Sequence, residues 1–375
     1  MMPGTRKAIS LLQVSLFVFN VVESADSNNQ EAVFHLEKGH ALVNHVIKTT
    51  MTHDAIDCSS ECLRTHLCKS VNYQHGNSKN HQCQLNSKSK DSAANVDYQA
   101  NSGFTYYEKN PCVPNPCSYA GTCLKVNSAE EFNCTCLQGF KGRLCDSERF
   151  GWFSRNPASS CKAILDASDG IHDGEYWIDP GNQGSPMRVF CDMTSSGGGW
   201  LLVSNAVIQS SSQSPPKTLT TSFRDISNYN NNQTLISSTN LLQLLQLMPF
   251  TQLRFQCRKS SIGRTVHIIT TNTSSGIAVL NYMTAQTNNL PVACGSFTRG
   301  SGDNSQLASQ CSRWGNTRTA VNVWGHASRK TEWRMYDHVM YIAGASHYIV
   351  VPSGYRCDAN SATISPGDYW KMYVR

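Results

Sequence analysis

The chain has 375 residues, sixteen cysteines and a net charge of +6. At about 100–200 residues per ordinary domain, this length leaves room for several modules. The cysteines are even in number and fall into groups of four, six and six along the chain. That usage is typical of disulfide bridges in an oxidising compartment and argues against a protein of the reducing cytosol. Only the segment that holds the last group of cysteines is basic, since residues 147–375 carry a net charge of +6.

The N-terminus has the pattern of a secretory signal peptide. Arg6 and Lys7 precede an apolar-biased run over residues 8–22. The small residues that follow favour cleavage after Ser24, which predicts a signal peptide over residues 1–24. The run is shorter than the roughly 20 residues that a membrane-spanning helix needs, and no later segment is long and apolar enough for one.

Residues 26–107 carry the first four cysteines and predict a small α+β module. Cys58 and Cys62 lie four residues apart, which fits one face of a short helix beginning near Asp57. Two short strands are predicted to follow, over residues 69–74 and 82–85.

The cysteine spacing of this module, C-x3-C-x5-C followed by SVNY and CQL, resembles the apple or PAN module. The resemblance implies that Cys58 pairs with Cys83 and Cys62 with Cys68, and that the module binds proteins or carbohydrates rather than catalysing a reaction. A zinc site built from these four cysteines is disfavoured, because cysteines in a secreted chain are normally oxidised.

Residues 108–146 hold six cysteines with the spacing C-x4-C-x5-C-x10-C-x-C-x8-C. A stretch this short cannot bury a sizeable apolar core. Its stability must therefore come from its disulfide bridges. The spacing resembles an epidermal-growth-factor-like (EGF-like) module, a small β fold. The resemblance implies three pairs: Cys112 with Cys123, Cys117 with Cys134, and Cys136 with Cys145.

Calcium is not expected in the EGF-like module. Calcium-binding members carry an acidic or amide pair just before the first cysteine, because the hard cation needs several oxygen ligands. Here that segment is Glu108, Lys109, Asn110 and Pro111, and the proline offers only its backbone carbonyl. The module is therefore interpreted as a rigid spacer and contact surface.

Residues 147–375 form the third predicted module, of α+β type. Cys161 and the segments GEYWIDP, VFCDM and GGGW resemble the opening of a fibrinogen-like domain, which implies a bridge from Cys161 to Cys191. The resemblance fails beyond Val203, so the domain is predicted to be a divergent one. The calcium and acetyl-group ligands of that family are not carried over to this chain.

The divergent part begins with a loop rich in serine, asparagine and glutamine over residues 204–234. The run NLLQLLQLMPF predicts a helix with Ser238 or Thr239 as N-cap, ended by Pro249. Strands are predicted over residues 252–258, 265–271, 278–283, 348–351 and 369–374. Two further bridges can form among four cysteines whose pairing stays open: Cys257, Cys294, Cys311 and Cys357.

Two charged clusters in the third module are candidate binding sites. The first is acidic and is interpreted as solvated turn residues, because it lacks a defined ligand spacing: Asp166, Asp169, Asp173 and Glu175. The second is the run RFQCRKSSIGR, whose cations could suit a sulfated polysaccharide: Arg254, Arg258, Lys259 and Arg264. Alternation along a strand would divide these cations between two faces, which favours a dispersed, solvated surface.

Three sequons predict N-linked glycosylation in a secreted chain, at Asn133, Asn232 and Asn272. Asn133 is the least favourable of them, because Cys134 follows it directly.

Catalysis finds no support in the motifs. The sequence contains no HExxH pair, no GxSxG elbow and no phosphate loop, and its cysteines are better used in bridges than as nucleophiles. No enzyme, cofactor, metal or nucleic-acid partner is therefore expected.

The order of an apple/PAN module, an EGF-like module and a divergent fibrinogen-like domain is similar to the skeletal organic matrix proteins of stony corals. This resemblance implies a secreted, disulfide-rich, multidomain matrix protein that contacts other proteins or glycans in or beside a mineralised skeleton. The chain lacks the long acidic runs of proteins that bind mineral directly, so a scaffold is favoured over a nucleator. The alternative is a soluble lectin-like protein with a calcium-dependent carbohydrate site in residues 147–375.

Overall fold

A computed structural model describes residues 23–27, 30–76, 79–126, 131–318, 320–350 and 354–375, with side chains from residue 34 onward. The chain divides into two compact units, the first ending at Ser147 and the second running from Glu148 to Arg375. The predicted signal peptide falls outside the described residues except for Glu23 and Ser24, which belong to the first strand.

The first unit contains a six-stranded antiparallel sheet and a helix. In chain order its elements are β1 (Glu23–Ser27), β2 (Gln30–Leu42), β3 (Val46–Thr52), α1 (Ala55–Arg64), β4 (Ser70–Gln74), β5 (His81–Asn86) and β6 (Tyr98–Lys109). The strand order across the sheet is β1-β2-β6-β4-β5-β3, so β6 lies in the middle.

Helix α1 begins where Asp54 caps it, by accepting a hydrogen bond of 2.8 Å from the backbone N–H of Asp57. It starts two residues before the predicted position, because the capping residue is Asp54 and not a residue next to Asp57. The buried side of the helix carries Cys58 and Cys62, and it packs on a sheet face lined by apolar side chains. These include Phe34, Val71, Leu85 and Tyr107.

The EGF-like part of the first unit has short strands, β7 (Thr122–Lys125), β8 (Phe132–Thr135) and β9 (Phe140–Lys141). Strands β7 and β8 form a hairpin in which Cys123 lies opposite Cys134. Gly142 follows β9 with φ +97°, and a Cβ there would lie 2.4 Å from Oδ1 of Asp146. A residue without a side chain is therefore required at this turn. Strand β10 (Ser147–Glu148) spans the division between the units.

A buried carboxylate joins the apple/PAN and EGF-like parts of the first unit. Glu108, near the end of β6, is 1% exposed and accepts hydrogen bonds from the Tyr106 hydroxyl (2.8 Å) and the Lys90 backbone N–H (3.3 Å). The Lys125 ammonium on β7 donates to the same carboxylate and lies 3.1 Å from Oδ2 of Asp91. Both acids raise the pKa of Lys125 against the opposing effect of burial.

The second unit contains a main sheet, a smaller sheet and short helices. In chain order its elements after β10 are α2 (Cys161–Asp166), β11 (Gly174–Ile178), β12 (Met187–Asp192), β13 (Trp200–Val207), β14 (Gln233–Thr234), α3 (Ser238–Leu247), β15 (Leu253–Lys259), β16 (Arg264–Thr270), α4 (Ser274–Met283), β17 (Phe297–Arg299), α5 (Gln306–Ser309), β18 (Gly315–Asn316), β19 (Ala320–Val321), β20 (Tyr341–Ile342), β21 (Ser346–Ile349), β22 (Arg356–Ala359) and β23 (Tyr369–Val374).

The main sheet has the strand order β11-β12-β13-β23-β15-β16-β17, with β14 added beside β13. Strand β23 is central and pairs antiparallel with both β13 and β15. The smaller sheet has the order β19-β18-β20-β21-β22. The bridge between Cys257 on β15 and Cys357 on β22 connects the two sheets covalently.

The large apolar core of the second unit covers one face of the main sheet. Buried side chains of β15 such as Phe255 meet Leu241 and Leu244 of α3 and Leu280 of α4 there. The opposite face has its own smaller cluster around the fully buried Trp200. Trp200 therefore anchors a second core on this face, separate from the large one.

The strand predicted over residues 278–283 is wrong, because this segment is the C-terminal part of helix α4. A short apolar run cannot be assigned to a strand or a buried helix by composition alone. The buried positions Gly276, Val279, Leu280 and Met283 are spaced as on one helical face, and this spacing identifies the helix.

Two further details of the divergent part differ from the predictions. The cap of α3 is Ser237, whose hydroxyl accepts from the Asn240 backbone N–H at 3.1 Å, and neither Ser238 nor Thr239 caps it. The predicted loop over residues 204–234 contains the end of β13, a 3₁₀ helix at Phe223–Asn231 and strand β14. Short polar elements of this kind carry too little apolar periodicity to be recognised in a sequence.

Substituting Lys125→Met tests whether the ion pair at Glu108 stabilises the first unit. The alkyl stem is kept, but a buried carboxylate loses its cation, so the free energy of unfolding should fall by roughly 1–3 kcal/mol. This is less than for a fully buried pair, because the Lys125 side chain is 34% exposed. Hydrogen exchange of peptides from β6 and β7 measures the effect.

The matched control is Lys48→Met, which removes the ion pair between Lys48 and Glu61 in the same unit. The Lys48 side chain is 49% exposed. Its effect should stay within about 0.5 kcal/mol. Equal effects of the two substitutions would show that the Glu108 contact contributes nothing beyond an ordinary surface pair.

Candidate functional site

Every cysteine of the chain is in a bridge, so none is left as a nucleophile or metal ligand. The first unit pairs Cys58 with Cys83, Cys62 with Cys68, Cys112 with Cys123, Cys117 with Cys134, and Cys136 with Cys145. The second unit pairs Cys161 with Cys191, Cys257 with Cys357, and Cys294 with Cys311. The first six of these are the pairs that the resemblances imply, and the last two settle the pairing that the sequence left open.

The acidic residues near β11 do not form a cation site, since each one has a separate structural partner. Asp173 accepts hydrogen bonds from the Met193 (2.8 Å) and Thr194 (3.0 Å) backbone N–H groups. The buried Asp169 accepts one of 3.0 Å from the Phe150 backbone N–H, so it is not a solvated turn residue. Asp166 pairs with Lys162, and Glu175 pairs with Arg188.

Within the described ranges, no group of three or more histidine, cysteine or acidic side chains could hold a metal ion. Among the same residues, no helix is long and apolar enough to cross a bilayer.

The cations of the run RFQCRKSSIGR separate between the faces of β15 and β16, as alternation along a strand predicts. Lys259 points to the core side, where its ammonium donates to the Ser361 carbonyl at 2.5 Å and burial lowers its pKa. Arg264 forms an ion pair of 3.2 Å with Asp358. Arg254 and Arg258 remain together on the other face of the main sheet.

The central strand adds further cations to that face. The register of β15 and β23 pairs Arg254 with Tyr373, Gln256 with Lys371, and Arg258 with Tyr369. Arg375 follows β23 and has the same alternation as Tyr373. We call this set the basic stripe; its members are Arg254, Gln256, Arg258, Tyr369, Lys371, Tyr373 and Arg375.

Arg254 is the buried centre of the basic stripe. It is 0% exposed, and its Nη2 donates to Oδ2 of Asp192 at 2.7 Å. Its guanidinium lies 3.8 Å from the ring centre of Tyr373 and 4.9 Å from that of Trp200. Burial raises the pKa of Asp192, but Arg254 and the Ser195 backbone N–H outweigh it and hold that pKa below its usual value. Asp192 is therefore ionised and neutralises Arg254.

Two nitrogens of Arg254, Nε and Nη1, are buried and have no hydrogen-bond partner among the described residues. A buried donor without a partner costs free energy, so polar groups in this position are usually matched. The Nε2 atom of His267, on the same face of the neighbouring strand β16, is also buried without a partner there.

Arg375 continues the basic stripe next to Trp200. Its guanidinium lies 4.2 Å from the ring centre of Trp200 and donates to the carbonyls of Ser196 (3.0 Å) and Gly198 (2.9 Å). A Cβ at Gly198, where φ is +65°, would lie 2.1 Å from the Met193 carbonyl oxygen. The glycine is therefore required for the tight turn that presents these carbonyls.

The two more accessible cations of the stripe, Lys371 and Arg258, have no acidic partner among the residues that the structure describes. Lys371 is partly exposed, and its ammonium lies 5.3 Å from the ring centre of Tyr369. Burial lowers the pKa of Lys371, and Arg254 lowers it further. Arg258 is exposed, and within the described residues neither it nor Lys371 forms an ion pair.

A histidine cluster in the smaller sheet has no recognisable signal in the sequence. The ring centres of His326 and His347 lie 5.6 Å and 5.0 Å from that of His338. Nδ1 of His338 lies 2.6 Å from Oδ1 of Asp337. The ring of Tyr341 contacts all three histidines, and the pairing of β20 with β21 places His347 opposite Tyr341, a contact that the sequence pattern does not reveal.

The sequons differ in their surroundings. Asn133 on β8 and Asn272, just after β16, are both exposed. Asn232 is half-buried, and its Oδ1 accepts a hydrogen bond of 3.1 Å from Nδ2 of Asn205.

Three family models match separate parts of the chain. They describe a PAN domain at residues 33–112, an EGF-like domain at residues 112–144 and a fibrillar collagen C-terminal domain at residues 149–263. The third was not predicted from the sequence.

Two solved structures are similar to 58% of the chain. The fibrinogen-like globe domain of human ANGPTL2 is 13% identical, with 99% of that chain covered and a TM-score of 0.30. The corresponding domain of human ANGPTL6 is 12% identical, with 95% covered and a TM-score of 0.29. At TM-scores below 0.5 these two domains say nothing about the ligands or activity of this chain.

The family matches confirm two of the predicted modules. The chain is multidomain and disulfide-rich, with a PAN module and an EGF-like module. The resemblance to coral skeletal proteins is not among these findings.

Acid should destabilise the second unit through His347. Burial, assisted by His338 and Arg356, lowers the pKa of His347 to about 4 from its ordinary 6.5. The unfolded chain therefore binds the extra proton first, and the free energy of unfolding should decrease as the pH falls from about 6.5 to about 4. Substituting His347→Gln should flatten this decrease.

Urea unfolding followed by tryptophan fluorescence measures the effect, because all seven tryptophans lie in the second unit. His66→Gln, at an exposed position of the first unit, is the control and should leave the pH profile unchanged. A parent-like profile for His347→Gln would contradict the assignment.

Glycosylation is expected at Asn272 more than at Asn232, because a transferase needs an accessible amide and the Asn232 side chain is held by Asn205. After secretion from animal cells, Asn272→Gln should remove one glycan mass, whereas Asn232→Gln should remove less than one on average. Intact-protein mass spectrometry with and without glycosidase distinguishes the two results, and the reverse order of occupancy would contradict the prediction.

Proposed function

We propose that this chain is a secreted, non-enzymatic structural and adhesive protein of an extracellular matrix. Its modules bind other macromolecules, proteins or glycans, and hold them together. The observation that carries the proposal is the combination of modules: PAN and EGF-like domains and a match to the C-terminal domain of fibrillar collagens, all with paired cysteines.

The cysteine usage supports secretion. Small modules without a large core depend on disulfides, and disulfides persist outside the reducing cytosol. The match to a collagen domain supports a matrix location more specifically, since fibrillar collagens are matrix proteins.

The finer proposal is a role in the organic matrix of a mineralised skeleton. It is supported by the resemblance of the module order to coral skeletal proteins. The chain has a net charge of +6, and its acidic residues near β11 are used in local contacts. These charges do not favour direct binding of calcium carbonate. A scaffold that links other matrix components fits these charges better.

The competing function, a calcium-dependent lectin, requires a cluster of oxygen ligands in the second unit. The acidic residues near β11 each have another partner, and no described group of side chains has the arrangement of a metal site. The structure therefore gives no observation in its favour.

Localisation is the decisive measurement. An antibody to the second unit, used on skeletal material of the source organism, should detect the protein only after the mineral is dissolved in acid, with an N-terminus at Ala25. Recovery from the soluble body fluid alone would contradict the matrix proposal. Chelator-sensitive, saturable binding on a glycan array would support the lectin instead.

A further inference from the structure

We propose that the basic stripe on the main sheet of the second unit is a binding surface for a sulfated polysaccharide. This inference rests on the proposed matrix function and deepens it, by naming one surface and the class of its ligand. Four observations support it: the alignment of the cations, their unbalanced charge, the aromatic rings between them, and the buried arginine beneath.

The cations of the stripe are aligned by the sheet. Along β23, aromatic and cationic side chains alternate on one face in the order Tyr369, Lys371, Tyr373, Arg375. Alternate residues of a strand are about 7 Å apart, so the spacing of the charges is fixed by backbone hydrogen bonds. A linear polyanion with regularly repeated charges fits such a row better than a single small anion does.

The charge of the stripe is not balanced within the unit. It contains four cations, and among the described carboxylates only Asp192 forms an ion pair with any of them, through Arg254. Arg375 is held by carbonyl oxygens, and Lys371 and Arg258 are partly or fully exposed without an acidic partner in the described ranges. The stripe therefore has an excess charge of +3 by count.

Arg254 adds unpaired donors to the stripe but no part of its excess charge, because Asp192 neutralises it. The guanidinium is fully buried, and two of its nitrogens lack a partner among the described residues. A buried donor without a partner is costly, so a ligand oxygen that reached these nitrogens would be favoured.

The chemistry of the stripe favours sulfate on a sugar over an acidic protein. Guanidinium groups match oxyanions of this kind with two parallel hydrogen bonds, which the exposed Arg258 can offer. Tyr369 is partly exposed and presents a ring beside Lys371, against which the C–H face of a sugar can pack. A protein interface usually has an exposed apolar centre, whereas the apolar side chains next to this stripe, such as Trp200 and Leu202, are buried.

The test uses the full-length secreted chain and immobilised heparin as the sulfated probe. The parent should bind heparin, with an affinity that falls as salt rises, and should bind desulfated heparin and polyglutamate at least tenfold more weakly. The double variant Arg258→Glu with Lys371→Gln should lose at least tenfold in affinity for heparin, roughly the effect of one charge-assisted hydrogen bond.

A charge-matched control separates the stripe from diffuse attraction. Arg313→Glu with Lys217→Gln makes the same change in net charge at exposed positions outside the stripe and should retain parent affinity within about twofold. Near-native tryptophan fluorescence in both variants verifies that the second unit is folded.

Three outcomes would overturn the inference: no binding of the parent to heparin at low salt, equal losses in the two double variants, or equal binding to polyglutamate. The last would assign the stripe to an acidic protein. None of these would affect the matrix proposal if the protein is still recovered from the acid-dissolved skeleton, so the two proposals can fail separately.

Discussion

Hydrogen bonding of strand β23 between β13 and β15 is the contact on which the second unit depends. It pairs Val374 with Leu201 on one side and with Leu253 on the other, so residues far apart in sequence meet across one strand. Without β23 the main sheet would separate into two parts. The apolar core on one face and the Trp200 cluster on the other would then lose their common support. Forming contacts between residues so far apart in sequence costs loop-closure entropy before the contacts themselves contribute any stabilisation. This sheet should therefore form late in folding.

The same strand produces two different surfaces because its side chains alternate. Trp370 and Met372 enter the large core, whereas Lys371 and Tyr373 join the cluster around Arg254. The core side is apolar and closed, and the other side combines aromatic rings with charge. The fold therefore places cations on a rigid support without reducing the apolar core that stabilises the unit.

Local chemistry was readable from the sequence, and long-range pairing was not. The sequence predicts strand β23 with its observed limits, and it predicts the helix around Cys58 from the spacing of Cys58 and Cys62, although not its cap at Asp54. Helix α4 was mistaken for a strand because its apolar run is short and lacks a side-chain cap. The basic run was judged dispersed because it was considered alone, whereas Lys371 comes from a distant part of the sequence.

The buried pair of Glu108 and Lys125 has a mechanical consequence for a protein that connects other molecules. Tension applied to the EGF-like module enters the apple/PAN sheet through β6, the strand that leads into Cys112. Because β6 is hydrogen-bonded on both sides, to β2 and β4, a pull along it must shear two ladders at once instead of peeling an edge. The first unit should therefore resist tension as a whole, because the ion pair of Glu108 and Lys125 holds the EGF-like part to the end of β6.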